Sequence, residues 1–221
     1  MMTTDVLGSE LKSPVMGELY LKTLAGSGAL SAQAVREFLS QWHGFSSFIP
    51  RFLCLAAYKA ETEEERLNVL ENLNSELGMD GGSTAHAEML RDLIERATGN
   101  EPQSRDIKPS TAAFLETLEQ TVLTNSAAFN SGVMAGLEHV AYDILSVLKE
   151  ILSKCGRQEL ILHPYIVIHD EIEKIHIENT QENIGFHGNK KKEVDAGFKF
   201  IMRQWKIFWD SAYLLLTPGS V

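Results

Sequence analysis

A chain of 221 residues that is 44% apolar and 23% charged, with 16 glycines and 6 prolines, is too apolar and too poor in Gly and Pro to be disordered or fibrous. It is long enough to close a hydrophobic core without disulfides or a structural metal, and it suits one domain over residues 1–221. Twenty Lys plus Arg against thirty Asp plus Glu leave a net charge of −10. That balance argues against the basic face a phosphate backbone requires, so no nucleic-acid partner is expected.

Helical periodicity runs through nearly the whole chain. Ser31 can cap a helix through Val35, Phe38, Leu39 and Trp42, and Pro50 opens or kinks a second segment, Arg51 to Lys59. Thr62 followed by Glu65 resembles a capping box for a helix that continues through Leu67, Leu70 and Leu73 toward Glu76. Gly78, Gly81 and Gly82 interrupt that pattern, and Ser83 restarts a helix through Met89, Leu90, Leu93 and Ile94 that ends at Gly99. Asn100 to Pro109 is polar, holds two prolines and reads as a loop. Ser110 then caps a helix with Phe114, Leu115, Leu118 and Val122 on one face. A long helix is predicted from Ala127 to Lys154, stopped at Gly156, and another from Leu160 to Asn179. Gln181 to Asn189 reads as a loop, and a last helix runs from Lys191 to Leu216, before Pro218. No period-two strand pattern interrupts this series. The prediction is an all-α bundle of about seven or eight helices.

The two cysteines, Cys54 in the apolar run Phe52 to Ala57 and Cys155 near a helix end, form no CxxC pair. They read as buried or partly buried free thiols in a reducing compartment rather than as zinc ligands. The first fifteen residues carry Asp5, Glu10 and Lys12 without an apolar h-region, so no signal peptide is expected. No apolar run approaches the ~18 residues of a membrane span. A soluble, cytoplasmic protein without a membrane partner is the expectation.

The chemistry-bearing segment is Tyr165 to His176. His169, Glu173 and His176 are spaced i, i+4, i+7, which puts two imidazoles and a carboxylate on one helix face. That set suits a divalent first-row metal. The same segment carries an apolar row, Ile168, Ile172 and Ile175, so either row can face the core. Glu138 has only uncharged helical neighbours, Met134, Ala135, Ala141 and Tyr142, and Leu145, Leu148 and Leu152 continue its stripe. A carboxylate there is on or near a buried face and needs a cation; the alternative is an edge position paired with His139. Glu76 and His86 flank the glycine-broken stretch, and His86 has Met89 and Leu90 at i+3 and i+4. Together these residues supply carboxylates and imidazoles from separate helical regions, enough for two metals with open positions. A ferritin-like site needs two Glu-x-x-His motifs. This chain has Glu173 to His176 and no second one, so that reading fails.

In this order, Glu76-x9-His86, Glu138 and His169-x3-Glu173-x2-His176 resemble the haem-oxygenase-like diiron oxidases and oxygenases, in the superfamily of the TenA and CADD-like proteins. The motif spans Glu76 to His176, and the likeness extends over the chain by length and helical pattern. It implies a haem-oxygenase-like bundle in which all six residues ligate two iron ions, Fe(II) or Fe(III); a mixed Mn/Fe pair is compatible with the same donors. It further implies activation of O2 to oxidise or cleave a small-molecule substrate (an amino acid, an amine or a fatty acid) in specialised-metabolite or cofactor biosynthesis. Glu173 stands where Asp is more usual, and Phe45 to Lys59 lacks the additional acid that N-oxygenating members can carry. One branch consumes its own side chains to make p-aminobenzoate and uses tyrosines near the metals. Tyr165, one turn before His169, and Tyr20 are candidates for that role, while Leu137 before Glu138 departs from that branch.

The resemblance also implies a ligand helix, Tyr165 to Thr180, that orders poorly without metal. His43, His139, His163 and His187 are spare, with His139 a candidate support for Glu138. The aromatic stripe Phe198, Met202, Trp205, Phe208 and Trp209 packs the core or lines the cavity. A homodimer is the default assembly. Three other readings stand beside this one. A TenA-type thiamin-salvage hydrolase needs a cysteine nucleophile near a Glu, for which neither Cys54 nor Cys155 has a convincing setting. A cofactorless quinone-biosynthesis oxidase would not need the His-x3-Glu-x2-His stripe. A non-catalytic helical interaction protein would keep these His and Glu residues on its surface.

Overall fold

Local signals start and stop the helices, and each leaves an apolar stripe that only a neighbouring helix can cover. The computed structural model describes residues 13–79 and 84–217. A short helix α1 (Glu18–Tyr20) runs into a single π-turn, Leu21–Ala25. Then follow α2 (Ala32–Lys59), α3 (Glu63–Glu76), α4 (His86–Thr98), α5 (Pro109–Thr124), α6 (Ala127–His139), α7 (Ala141–Lys154), α8 (Pro164–Phe186) and α9 (Lys191–Tyr213). No strand occurs among the described residues, and the chain is all-α. No helix among them is long and apolar enough to cross a membrane.

The caps explain several boundaries. Ser31 Oγ accepts from the Ala34 amide at 3.2 Å, and Thr62 Oγ1 from the Glu65 amide at 3.1 Å. The second half of the expected capping box is displaced by one residue: Glu65 reaches the Glu61 amide at 2.8 Å instead of the cap's own. Gly99 closes α4 in the left-handed conformation, φ 79°. The expected restart at Ser83 lies outside the described residues.

Other boundaries differ from the sequence expectation. Pro50 does not open a second helix; α2 runs through it. A proline has no N–H to give the carbonyl four residues back, here that of Ser46, whose side chain borders the interior cavity. Pro109 is itself the first residue of α5, with Lys108 as the cap, so Ser110 lies inside the helix. The predicted helix from Ala127 to Lys154 breaks at Val140, whose φ/ψ of −105°/1° ends α6 directly after Glu138 and His139. The helix predicted from Leu160 starts at Pro164 and swallows most of the predicted loop, reaching Phe186. Cys54 is exposed rather than buried, because helical periodicity turns it away from Phe52, Leu53, Ala56 and Ala57.

Helix α2 packs on α3, α4 and α5, and α6 lies against both α8 and α9. Helix α8 is bordered by α3, α4, α6 and α7. The loop before α5 is tied to α2 by the buried Gln41. Its amide donates to the Asp106 carbonyl at 2.8 Å and accepts from the Lys108 amide at 2.9 Å and from Thr111 at 2.8 Å. Arg36 holds Asp106 at 2.7 Å, and Lys149 pins α7 to Asp170 of α8 at 2.7 Å.

The crossing of α6 on α9 depends on two glycines set back to back. A Cβ on Gly132 would lie 2.0 Å from the Val194 carbonyl oxygen, and one on Gly197 would lie 2.0 Å from that of Phe129. Both obstacles are backbone and cannot rotate away. Gly132→Ala or Gly197→Ala is expected to cost about 3 kcal/mol, at the upper end for overpacking, read as a lower urea midpoint at unchanged slope. An unchanged midpoint would mean the two helices separate at no cost.

Candidate metal centre

The inward face of α8 is polar. His169, Glu173 and His176 are buried, whereas Ile175 is 54% exposed and Ile168 and Ile172 lie at the margin. The competition between the two rows is resolved in favour of the ionisable one. Around this stripe, α3 contributes Glu76 from its last turn, α4 contributes His86 as its first residue, and α6 contributes Glu138 one residue before its end. All three therefore sit where a helix terminates beside α8, and the Val140 break lets the chain turn away immediately after Glu138.

The six side chains meet as two groups of three. Donor atoms of Glu76, His86 and His169 lie within 4.8 Å of one another, and so do those of Glu138, Glu173 and His176. His86 Nδ1 is 3.3 Å from Glu76 Oε2, and the His86 and His169 rings are 4.6 Å apart. Glu76 and Glu138 keep partial access, and both border the interior cavity together with His169, Glu173 and His176. The rest of that wall is mostly apolar, including Phe45, Phe52, Leu53, Met134, Leu145 and Trp205. Its other polar members are Ser46, Asn72 and Tyr165, with the Trp42 indole beside them, and among the described residues no Lys or Arg lines it.

The electrostatics are those of a crowded acidic site. Burial raises the Glu138 carboxyl well above its usual range, and the charges of Glu173 and Glu76 add to that. Glu173 is raised by burial and by Glu76, although its hydrogen bond with Glu138 opposes the shift. For Glu76 burial also pushes upward, but the adjacent His86 and the charges of His169 and His176 outweigh it and hold the carboxyl below its usual range. His169 is pushed down to about 4 by burial, with Glu76 opposing the shift and the neighbouring His86 and His176 adding to it.

The residues fit a pair of cations. His86 is 0% exposed; its Nδ1 has only the 3.3 Å contact with Glu76, its Nε2 makes no hydrogen bond, and Glu173 Oε2 is likewise buried without one. Such atoms are costly to bury unless something else coordinates them. His169 Nδ1 lies 2.6 Å from the Tyr165 carbonyl, which selects the Nδ1–H tautomer and leaves Nε2 as a bare donor. A mixed carboxylate and imidazole set of this kind suits iron or manganese.

Some expected supports are placed elsewhere. His139 is exposed and packs edge-on against Phe198 at 5.5 Å, while Glu138 turns to Glu173 rather than to His139. Tyr165 borders the cavity and receives a hydrogen bond from Trp42 Nε1 at 2.9 Å. Tyr20 does not line the cavity; its hydroxyl donates to Glu150 at 2.7 Å. His163 caps α8 through Nδ1 and pairs with Asp92 at 2.9 Å. His187 pairs with the buried Glu65 at 2.8 Å. The sequence reading missed the Trp42–Tyr165 bond and the Glu65–His187 pair, which join residues far apart in the chain. The stripe Phe198, Met202, Trp205, Phe208 and Trp209 is buried core, and of these Trp205 also reaches the cavity.

No family model matches the sequence, and no curated protein does. Solved structures match closely in shape. A CADD-like protein of unknown function from Nostoc punctiforme superposes with a TM-score of 0.81 at 16% identity, over 95% of this chain and 93% of that one. The chain has the haem-oxygenase-like fold. A domain of unknown function with that fold from Shewanella denitrificans gives a TM-score of 0.72 at 15% identity, over 90% and 85% of the two chains. A TenA homologue from Pseudomonas syringae gives 0.66 at 16% identity, over 90% and 86%. In this haem-oxygenase-like bundle the six donors occupy the interior between α3, α4, α6 and α8.

Because Glu138 and Glu173 hold protons more tightly in the fold than in the unfolded chain, their contribution to stability is complete below the ordinary carboxylate range. It is lost as pH rises through their raised values. Without metal, Tm is expected to fall as pH rises above that range, with a shallower slope in Glu138→Gln. Identical slopes in the two proteins would show that the pair does not couple to folding.

Proposed function

We propose that this chain is a non-haem diiron oxidase or oxygenase that uses O2 to oxidise or cleave a small substrate. The observation that carries the reading is the pair of three-residue donor groups, Glu76–His86–His169 and Glu138–Glu173–His176, of which all but His86 line one mostly apolar cavity. Two Fe(II) would bring +4 against the −3 of the carboxylates and so offset the cost of burying them. When bound, such a pair supplies O2 activation and electron transfer to or from the substrate.

This chain's own residues do the rest. His169 is oriented by the Tyr165 carbonyl, and Tyr165 is in turn fixed from α2 by the Trp42 indole. Burial raises the proton affinity of Glu138 and Glu173, so taking both as carboxylate ligands would release protons on loading. Phe45, Phe52, Leu53, Met134 and Leu145 exclude water and present an apolar wall to the substrate, and Ser46 and Asn72 offer hydrogen bonds. A wall without Lys or Arg favours a substrate whose buried portion is uncharged.

Neither Cys54 nor Cys155 lines the cavity, which disfavours the TenA-type hydrolase reading. The same donors accept a Mn/Fe pair, and metal analysis separates the two. Cytoplasmic location and a homodimer remain parts of the proposal.

Anaerobic Fe(II) loading followed by metal analysis is expected to give about two irons per chain, as a two-metal site requires, and His169→Ala is expected to lose most of that metal. Wild-type protein that retains no iron would overturn the reading. Hydrogen exchange gives a second readout: protection of Tyr165 to Thr180 is expected to rise on loading, and equal protection in both states would count against metal ligation by α8. Oxygen uptake screened with amino acids, amines and fatty acids then identifies the substrate class.

A further inference from the structure

One run of oxidisable rings leads from the candidate metal centre to the protein surface. The Tyr165 ring is 4.3 Å from His169, centre to centre, and its hydroxyl accepts from Trp42 Nε1 at 2.9 Å. Trp42 stacks on Trp209 at 5.5 Å, Trp209 lies 5.7 Å from Tyr213, and Tyr213 lies 6.0 Å from Tyr20. Tyr20 is half-buried, and its hydroxyl donates to Glu150 Oε2 at 2.7 Å. Trp205 joins as a branch, 6.1 Å from both Trp42 and Trp209. The run and its branch contain all three tryptophans of the chain and three of its five tyrosines.

Core packing alone does not account for these residue types. The indole N–H groups of Trp205 and Trp209 are buried without a hydrogen-bond partner, whereas a buried Trp N–H usually finds one. Phenylalanine would fill such space without that desolvation cost, and Phe38 and Phe45 do so alongside the run. An indole without a proton acceptor can be oxidised only transiently, which suits a relay. Tyr20 differs, because a carboxylate stands ready to take its proton.

We propose that Tyr165, Trp42, Trp209, Tyr213 and Tyr20 form an electron-transfer path between the cavity and the surface, with Glu150 as the proton acceptor at its outer end. The inner end of the path rests on the diiron reading. Were a strong one-electron oxidant formed from O2 at the cavity end of the path with no substrate present, Tyr20 would supply one electron, passed inward along Tyr213, Trp209, Trp42 and Tyr165, and the oxidant would be reduced by that electron. The phenolic proton of Tyr20 moves to the Glu150 carboxylate, leaving a neutral tyrosyl radical. A one-electron donor from solution, of the ascorbate or thiol class, then restores the phenol, and the proton returns from Glu150. Oxidising equivalents are thereby discharged at the surface rather than on the ligands.

Two measurements test the path, the first without metal. Ultraviolet photoionisation of the tryptophans in the full chain, followed by transient absorption, is expected to convert the tryptophanyl signal into a tyrosyl one. Tyr20→Phe is expected to lose the long-lived tyrosyl component, and Tyr58→Phe and Tyr142→Phe to retain it. The same long-lived component in Tyr20→Phe as in the wild type would overturn the path. Second, Fe(II)-loaded protein exposed to O2 without substrate is expected to show a tyrosyl radical by freeze-quench electron paramagnetic resonance. That radical should vanish in Trp209→Phe at unchanged iron content. An undiminished radical in Trp209→Phe would also overturn the path. Failure to bind iron would instead overturn the diiron reading, while the metal-free measurement decides the path by itself.

Discussion

Glu138 and Glu173 face each other inside an apolar bundle, with Glu76 close enough to raise the proton affinity of both. Buried like charges are among the most expensive arrangements a fold can hold, and much of the interior can be understood as managing this one. The imidazoles of His86, His169 and His176 interleave with the acids, and His86 lies against the carboxylate that keeps the lowest proton affinity of the three. The remaining cost falls on the apolar mass around the site. That mass is continuous: aromatic and aliphatic side chains from α2 to α9 join in one cluster.

Position is controlled from outside the site. Helix α6, which carries Glu138, is pressed on α9 through Gly132 and Gly197, where two backbones meet without intervening side chains. His169 is turned by the carbonyl of Tyr165, and Tyr165 is held by Trp42 of α2. Loss of an apparently structural contact on α2 or α9 therefore reaches the donors within one or two links. The aromatic run follows the same contacts, so the groups that orient the site are also those able to carry charge to and from it.

Much of the candidate site was legible in the sequence, because i, i+4, i+7 spacing makes a stripe in any helix and because Glu138 sits among neighbours that offer it no partner. What spacing leaves open is which stripe faces inward. His169, Glu173 and His176 compete with Ile168, Ile172 and Ile175 on equal terms until α3, α4 and α6 bring Glu76, His86 and Glu138 to the same side. The helix break at Val140 carries no glycine or proline, and the continuity of α2 through Pro50 defies the usual signal. Neither is announced by local propensity. The Glu65–His187 pair likewise joins residues 122 positions apart.

Composition and periodicity determined that this chain is helical, where several helices begin, and that a set of carboxylates and imidazoles sits on faces where charge is expensive. Those properties are local, set by side-chain spacing and by capping within a few residues. Tertiary structure decided the rest: that six donors from four helices converge in two groups beside one cavity, that His139 and Tyr20 stand apart from it, and that α8 turns its polar row inward. Convergence depends on helix crossings and on contacts between distant residues, and these are settled only when every apolar face is covered at once.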